Sequence, residues 1–129
     1  MSQSNRVPAI TILVVEDEYF VRQDIVSYLR DAGCTVVEAE TGEHAIDICK
    51  SGVPIDVVFT DVQLAGSASG FDVAEAFRVA VADIPVVYAS GNLGNRDRCV
   101  ADSVFFGKPY QSREILAACL QLKNASSLH

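Results

Sequence analysis

Short apolar runs alternate with stretches of helical periodicity along the whole chain. Ile10-Thr11-Ile12-Leu13-Val14-Val15, Thr35-Val36-Val37-Glu38, and residues 56–60, 84–89 and 104–106 read as five strands. After the first of them, Val21, Ile25 and Leu29 recur at helical spacing over residues 19–32, and Gly33 stops the helix. Thr41-Gly42-Glu43 opens a second helix carrying Ala45, Ile48 and Cys49, and Ser51-Gly52-Val53-Pro54 closes it. A third helix buries Val73, Phe77 and Ala80 or Val81. The last runs over residues 112–122 through Ile115, Leu116, Cys119 and Leu120. Strands and helices alternating at these lengths predict an α/β fold, a doubly wound five-stranded parallel sheet. No linker or second domain is visible: residues 10–123 form one domain, flanked by tails at 1–9 and 124–129.

In an open parallel sheet, ligands bind in the crevice outside the carboxyl ends of the strands. Here those ends carry chemistry. Glu16 and Asp17 follow the first strand, Asp61 the third, Ser90 the fourth and Lys108 the fifth. Taken singly, each has a plain structural reading. Asp17 caps a helix, Ser90 turns the chain before Gly91, and Lys108 is a solvated charge. Four such coincidences at four strand ends favour a shared site instead. Three carboxylates, a hydroxyl and an ammonium suit a divalent metal and a phosphoryl group.

Charge and composition narrow the class further. The chain is 50% hydrophobic, enough to close a core, and its net charge of -7 argues against nucleic-acid binding, which leaves a basic footprint. The first apolar stretch is interrupted by Pro8 and ends in Glu16-Asp17-Glu18, unlike a signal peptide. Nothing approaches the roughly 20 apolar residues of a membrane span. A cytoplasmic location without membrane contact is the expectation. Cys34, Cys49, Cys99 and Cys119 form no CxxC pair and read as free thiols, so a zinc site is not expected.

The order acid pair, Asp, Ser, Lys-Pro, each at a strand end, resembles the receiver domain of two-component response regulators. Val14-Val15-Glu16-Asp17-Glu18 is similar to the family's first-strand motif, with Glu in place of its first Asp. Asp56-Val57-Val58-Phe59-Thr60-Asp61 is similar to the strand ending in the phosphoacceptor, and Phe105-Phe106-Gly107-Lys108-Pro109-Tyr110 to the aromatic and Lys-Pro run. The resemblance implies a flavodoxin-like strand order 2-1-3-4-5 and a cis Lys108-Pro109 bond. It also implies Mg2+ as cofactor, held by Asp17, Asp61 and the backbone carbonyl of Gln63, with Glu16 acting through water. Asp61 would be the nucleophile that becomes an acyl phosphate, with Lys108 and Ser90 on the phosphate oxygens. Ser90 and Phe105 match switch positions, although core packing explains Phe105 nearly as well. Gln63 and Asn92 match positions that tune phosphate lifetime. A sensor histidine kinase is the implied phosphodonor. With no room for an output domain in the chain, output passes to an unidentified downstream protein, or the domain is a phosphate sink. A monomer or weak dimer is expected.

Two departures matter. The loop after Asp61 lacks the family's Pro-Gly pair and reads Leu64-Ala65-Gly66-Ser67-Ala68-Ser69-Gly70, small residues that predict mobility. Only 17 residues, positions 91–107, separate Ser90 from Lys108, and Gly91, Asn92, Gly94 and Asn95 open that stretch. The family's fourth helix is therefore expected to be short, over residues 96–101, or disordered. Tyr88-Ala89-Ser90-Gly91-Asn92 is similar to the signature of the FAT GUY receiver subgroup, whose members often lack an output domain. Two rival classes compete. A pseudo-receiver would bind partners without taking phosphate, and Glu16 and the altered loop leave room for it. A haloacid-dehalogenase-like phosphatase needs an acid two residues after its nucleophile, where this chain has Gln63.

Overall fold

The structure, a computed structural model, describes residues 9–92, 94 and 96–127. Residues 1–8 and 128–129 of the expected tails, and Asn95 of the short connection, lie outside the described residues. The element order is β1 (Thr11–Val15), α1 (Tyr19–Asp31), β2 (Thr35–Ala39), α2 (Gly42–Ser51), β3 (Val57–Asp61), α3 (Gly70–Ala80), β4 (Val86–Ser90), β5 (Val104–Gly107) and α4 (Ser112–Ser127). All strand pairs are parallel, in the order β2-β1-β3-β4-β5. The doubly wound sheet read from the alternation is therefore present, and the Lys108-Pro109 bond is cis.

Side chains alternate across the sheet with the two-residue period of a strand. Ile12 and Val14 of β1, Val57 and Phe59 of β3, and Val87 and Ala89 of β4 face α1 and α4, meeting Ile25, Leu29, Ile115 and Cys119. Leu13, Val15, Val58, Val86 and Tyr88 face the other way, toward Ala45 of α2 and Val73, Ala74 and Phe77 of α3. Both faces of the three inner strands are covered, which is why these strands read as unbroken apolar runs. Phe105 and Phe106 divide between the two clusters.

Four details differ from the periodicity reading, the first at the end of α3, where Ala80 and Val81 are exposed because the helix stops at Ala80. On α1 the inward stripe is Arg22, Ile25, Val26 and Leu29, and Val21 is only half-buried. The N-cap of α1 is Glu18, without a side-chain cap, so the capping reading of Asp17 does not hold. The last helix continues to Ser127, so residues 124–127 are helical; no Gly or Pro stops it after Leu122, and Lys123 pairs with Asp56 at 3.1 Å. Between β4 and β5, in keeping with the short connection, the described residues form bends and turns and no helix. That connection is pinned by side chains. The Val100 amide donates to the buried Tyr88 hydroxyl (3.1 Å), Arg96 lies over the Phe105 ring, and Arg98 spans Asp72 and Glu75 of α3 at 2.9 and 2.8 Å.

Helix α3 begins directly behind the end of β3. Ser69 and Asp72 form a reciprocal capping box, and the Gly70 amide donates to the Val62 carbonyl at 2.8 Å. A side chain at Gly70 would run into the Asp61 carbonyl. Gly70→Ala is therefore expected to cost about 3 kcal/mol, the upper range for forced overpacking. Urea unfolding of the variant measures it; an unchanged midpoint would contradict this close approach.

Candidate functional site

The carboxyl ends of β1, β3, β4 and β5 open on one crevice. Register explains the convergence: Val15 lies beside Thr60, Asp61 beside Ala89, and Ser90 beside Gly107, so the last residues of β3 and β4 emerge near the level of the residues that follow β1 and β5. Glu16, Asp17 and Asp61 each bring a carboxylate oxygen into a cluster whose atoms lie within 4.8 Å of one another. Glu16 and Asp61 are buried, with 3% and 7% of their surface exposed, whereas Asp17 is open to solvent.

Lys108 closes the crevice from the edge strand. Its Nζ donates to Asp61 Oδ2 at 2.8 Å and to Glu16 Oε1 at 3.0 Å, and its own amide donates to the Ser90 carbonyl at 2.9 Å. Burial alone would favour the neutral amine, but the bonds to Asp61 and Glu16 outweigh it and hold the ammonium above its ordinary pKa. Asp61 is pushed up to about 6, first by burial; the Lys108 hydrogen bond opposes the rise, and the charges of Glu16 and Asp17 add to it.

Each acid is also oriented from behind. Glu16 Oε2 accepts from the Glu18 amide at 3.0 Å, which leaves both its oxygens engaged. The Glu16 carbonyl accepts from the buried Arg22 guanidinium at 2.9 Å, and Arg22 Nε pairs with Glu38 of β2 at 3.0 Å. Arg22 is a residue that periodicity overlooks. Its signal in the sequence is a charge at position i of a stripe continued by Ile25 and Leu29, inside the apolar face of α1.

The loop after Asp61 is tied down, contrary to the mobility that its small residues predict. The Ala65 amide donates to Asp17 Oδ2 at 3.1 Å, and the Ser67 amide and hydroxyl both donate to Glu43 Oε2, at 2.8 and 2.7 Å. Small side chains permit mobility, but the backbone amides they expose found carboxylate acceptors. Gln63 begins this loop with its side chain exposed. Ser90 is buried, and its Oγ accepts from the Asn92 amide at 3.0 Å; Asn92 turns its own Oδ1 to the Gly94 amide. Phe105 sits behind the crevice against Tyr88, ring centroids 6.2 Å apart. Of the eight residues singled out in the sequence, seven lie at or just past the carboxyl ends of the strands and Phe105 lies deeper, within β5 beside Tyr88; Glu16, Asp17, Asp61 and Lys108 are drawn into one charged cluster.

Three clustered oxygen donors of hard, carboxylate type match what a small divalent cation takes from protein. Comparisons with known proteins agree with this geometry. The family model of the response regulator receiver domain matches residues 12–119. A probable transcriptional regulatory protein of Picosynechococcus is 30% identical over 121 residues, covering 86% of this chain. The chain spans only about half, 48%, of that relative's length. Among solved structures, a response regulator receiver protein from Sinorhizobium medicae superposes with a TM-score of 0.84 at 36% identity, covering 92% of this chain and 97% of that one. The response regulator TrrA of Thermotoga maritima, solved with Mg2+ and BeF, gives 0.77 at 28% identity, covering 88% and 98%. With a fold, a strand order and a family match that coincide over most of its length, this chain belongs to the response regulator receiver domain family.

Proposed function

We propose that this receiver domain accepts a phosphoryl group on Asp61, in a Mg2+-dependent transfer from a sensor histidine kinase, and signals through contacts with a downstream protein. The observation that carries this reading is the single crevice where a buried Asp61 carboxylate meets Lys108 Nζ at 2.8 Å beside two further acids. A lone Asp at a strand end does no chemistry, but one held between an ammonium and a cation-ready cluster is an oriented nucleophile.

Asp17, Asp61 and the Gln63 carbonyl would hold the metal directly, with Glu16 behind them through water. Bound there, Mg2+ supplies positive charge against the phosphoryl oxygens. The chain's own residues do the rest. An Asp61 oxygen attacks phosphorus, the phosphorus–nitrogen bond of the donor phosphohistidine breaks, and its electron pair stays on the imidazole. Lys108 then exchanges its bond to Asp61 for one to a phosphoryl oxygen, and the Ser90 hydroxyl, which accepts from the Asn92 amide, would turn to donate to another. Phe105, beside Tyr88 and under Arg96, would register that movement through the neighbouring strand β4. Gln63 and Asn92, two residues beyond Asp61 and Ser90, line with Ser90 a hollow along the β3–α3 loop, from which they would set how readily water reaches the acyl phosphate.

A protein donor has a surface to use. Phe20 is 81% exposed and Tyr19 57%, on the first turn of α1 directly after the acid cluster. A hollow lined by Phe20, Val21, Pro109 and Tyr110 leads from them to Lys108. Apolar groups exposed beside a charged crevice favour docking of a partner over a small diffusing donor alone. The described residues include no helix long and apolar enough to cross a membrane.

Incubation with acetyl phosphate and Mg2+, followed by intact mass, should add one phosphoryl group to the wild-type chain and none to Asp61→Asn. Equal labelling of the two would contradict the assignment. A second expectation concerns pH. The folded Asp61 holds its proton up to about 6, whereas its ordinary value is 3.8. The folded state therefore binds more protons than the unfolded chain between those values. The stability this contributes is complete below pH ~4 and lost as pH rises through 6. Metal-free unfolding of Asp61→Asn should lose that slope between pH 4 and 6, and Mg2+ affinity of the wild type should fall as pH drops through 6, because proton and metal compete. Identical pH profiles for the two proteins would contradict the electrostatics described.

A further inference from the structure

We propose that Glu43, at the start of α2, is a positioning residue for the acid cluster: it holds the β3–α3 loop in the shape that brings the Ala65 amide to Asp17. The inference rests on the receiver reading given above. It starts from the loop's own composition. A run of Ala, Gly and Ser has little side-chain surface to bury and many backbone states to lose, so it needs an external tie to stay in one shape.

Glu43 supplies that tie. One carboxylate oxygen accepts both the amide and the hydroxyl of Ser67, at 2.8 and 2.7 Å. The Ser67 hydroxyl and amide bonds, in that order, hold the Glu43 carboxyl down to about 2, so the tie is charged at any physiological pH. Gly66 adopts a left-handed φ of 94°, and a Cβ there would fall 2.8 Å from Glu43 Oε1. The loop backbone is therefore pressed against this carboxylate as well as bonded to it.

The other end of the same short segment touches the site. Ala65, two residues before Ser67, donates its amide to Asp17 Oδ2 at 3.1 Å. Asp17 is the exposed acid of the three, and that amide is what orients it. Glu43 thus reaches Asp17 through three residues of backbone without entering the crevice. Groups that orient a metal's ligands from behind are worth roughly 10–100-fold in affinity, and ordering the loop beforehand removes a cost otherwise met on binding.

Glu43 is exposed on the surface of α2, so its replacement leaves the core intact. The test measures Mg2+ binding by titration calorimetry on Glu43→Ala, Glu43→Gln and the wild type, with amide exchange of residues 65–69 in the metal-free state and a melting curve for each. Glu43→Ala should weaken Mg2+ about tenfold and speed exchange at Ala65 and Ser67, with melting nearly unchanged. Glu43→Gln keeps an oxygen that can accept both Ser67 bonds and should recover most of the affinity. Wild-type affinity and exchange in Glu43→Ala would overturn the inference and leave the receiver reading standing. A wild-type protein that binds no Mg2+ would overturn both.

Discussion

One ammonium makes the crevice possible. Lys108 leaves the edge strand β5 and must cross β4 to reach Asp61 on β3, a span of about two strand spacings or ~10 Å. The lysine stem, the Asp61 side chain and the 2.8 Å hydrogen bond between them together cover that distance, and the head stays charged. At the far end it meets Asp61 and Glu16 together, two buried carboxylates on adjacent strands that would otherwise repel each other without compensation. Strand order, register and the direction of every βα connection are constrained by the need to bring these groups together. The burial of Asp61 is incompletely offset even so, which is why its carboxyl titrates near 6.

That imperfect balance connects structure to chemistry. A carboxylate fully satisfied by its neighbours has no reason to bind a cation or attack phosphorus. Asp61 keeps its proton more readily than an exposed Asp, so an added positive charge in the crevice stabilises the ionised, nucleophilic form. The residues behind it are arranged to prevent relaxation by rotation. Arg22 holds the Glu16 carbonyl, the Glu18 amide holds its side chain, and the Gly70 contact fixes the backbone of Asp61.

Much of this was legible in the sequence, because strands of a parallel sheet are buried on both faces and end where function begins. The runs ending at Glu16, Asp61, Ser90 and Lys108 are dominated by apolar residues, so both the sheet and the candidate site could be read from them. What escaped were long-range polar contacts. Nothing about Glu43 in the sequence says that its carboxylate meets Ser67, 24 positions away. Small residues in 65–70 suggested mobility because composition speaks of backbone freedom and is silent on acceptors nearby. Arg22 was hidden for a different reason: a charge on an apolar stripe looks like an interruption until Glu38 and the Glu16 carbonyl are found opposite it. The connection from β4 to β5 was visibly too short for a full helix, yet its anchoring by Tyr88, Arg96 and Arg98 depends on partners in three other elements.

On the function proposed above, these strand ends form one metal-dependent phosphoryl site. Binding of beryllofluoride, a mimic of an acyl phosphate, followed by fluorine NMR on the wild-type chain tests it most directly. Bound resonances that require both the folded protein and Mg2+, and that vanish on chelation, are the predicted result. Beryllofluoride that stays free at saturating Mg2+ would rule out such a site.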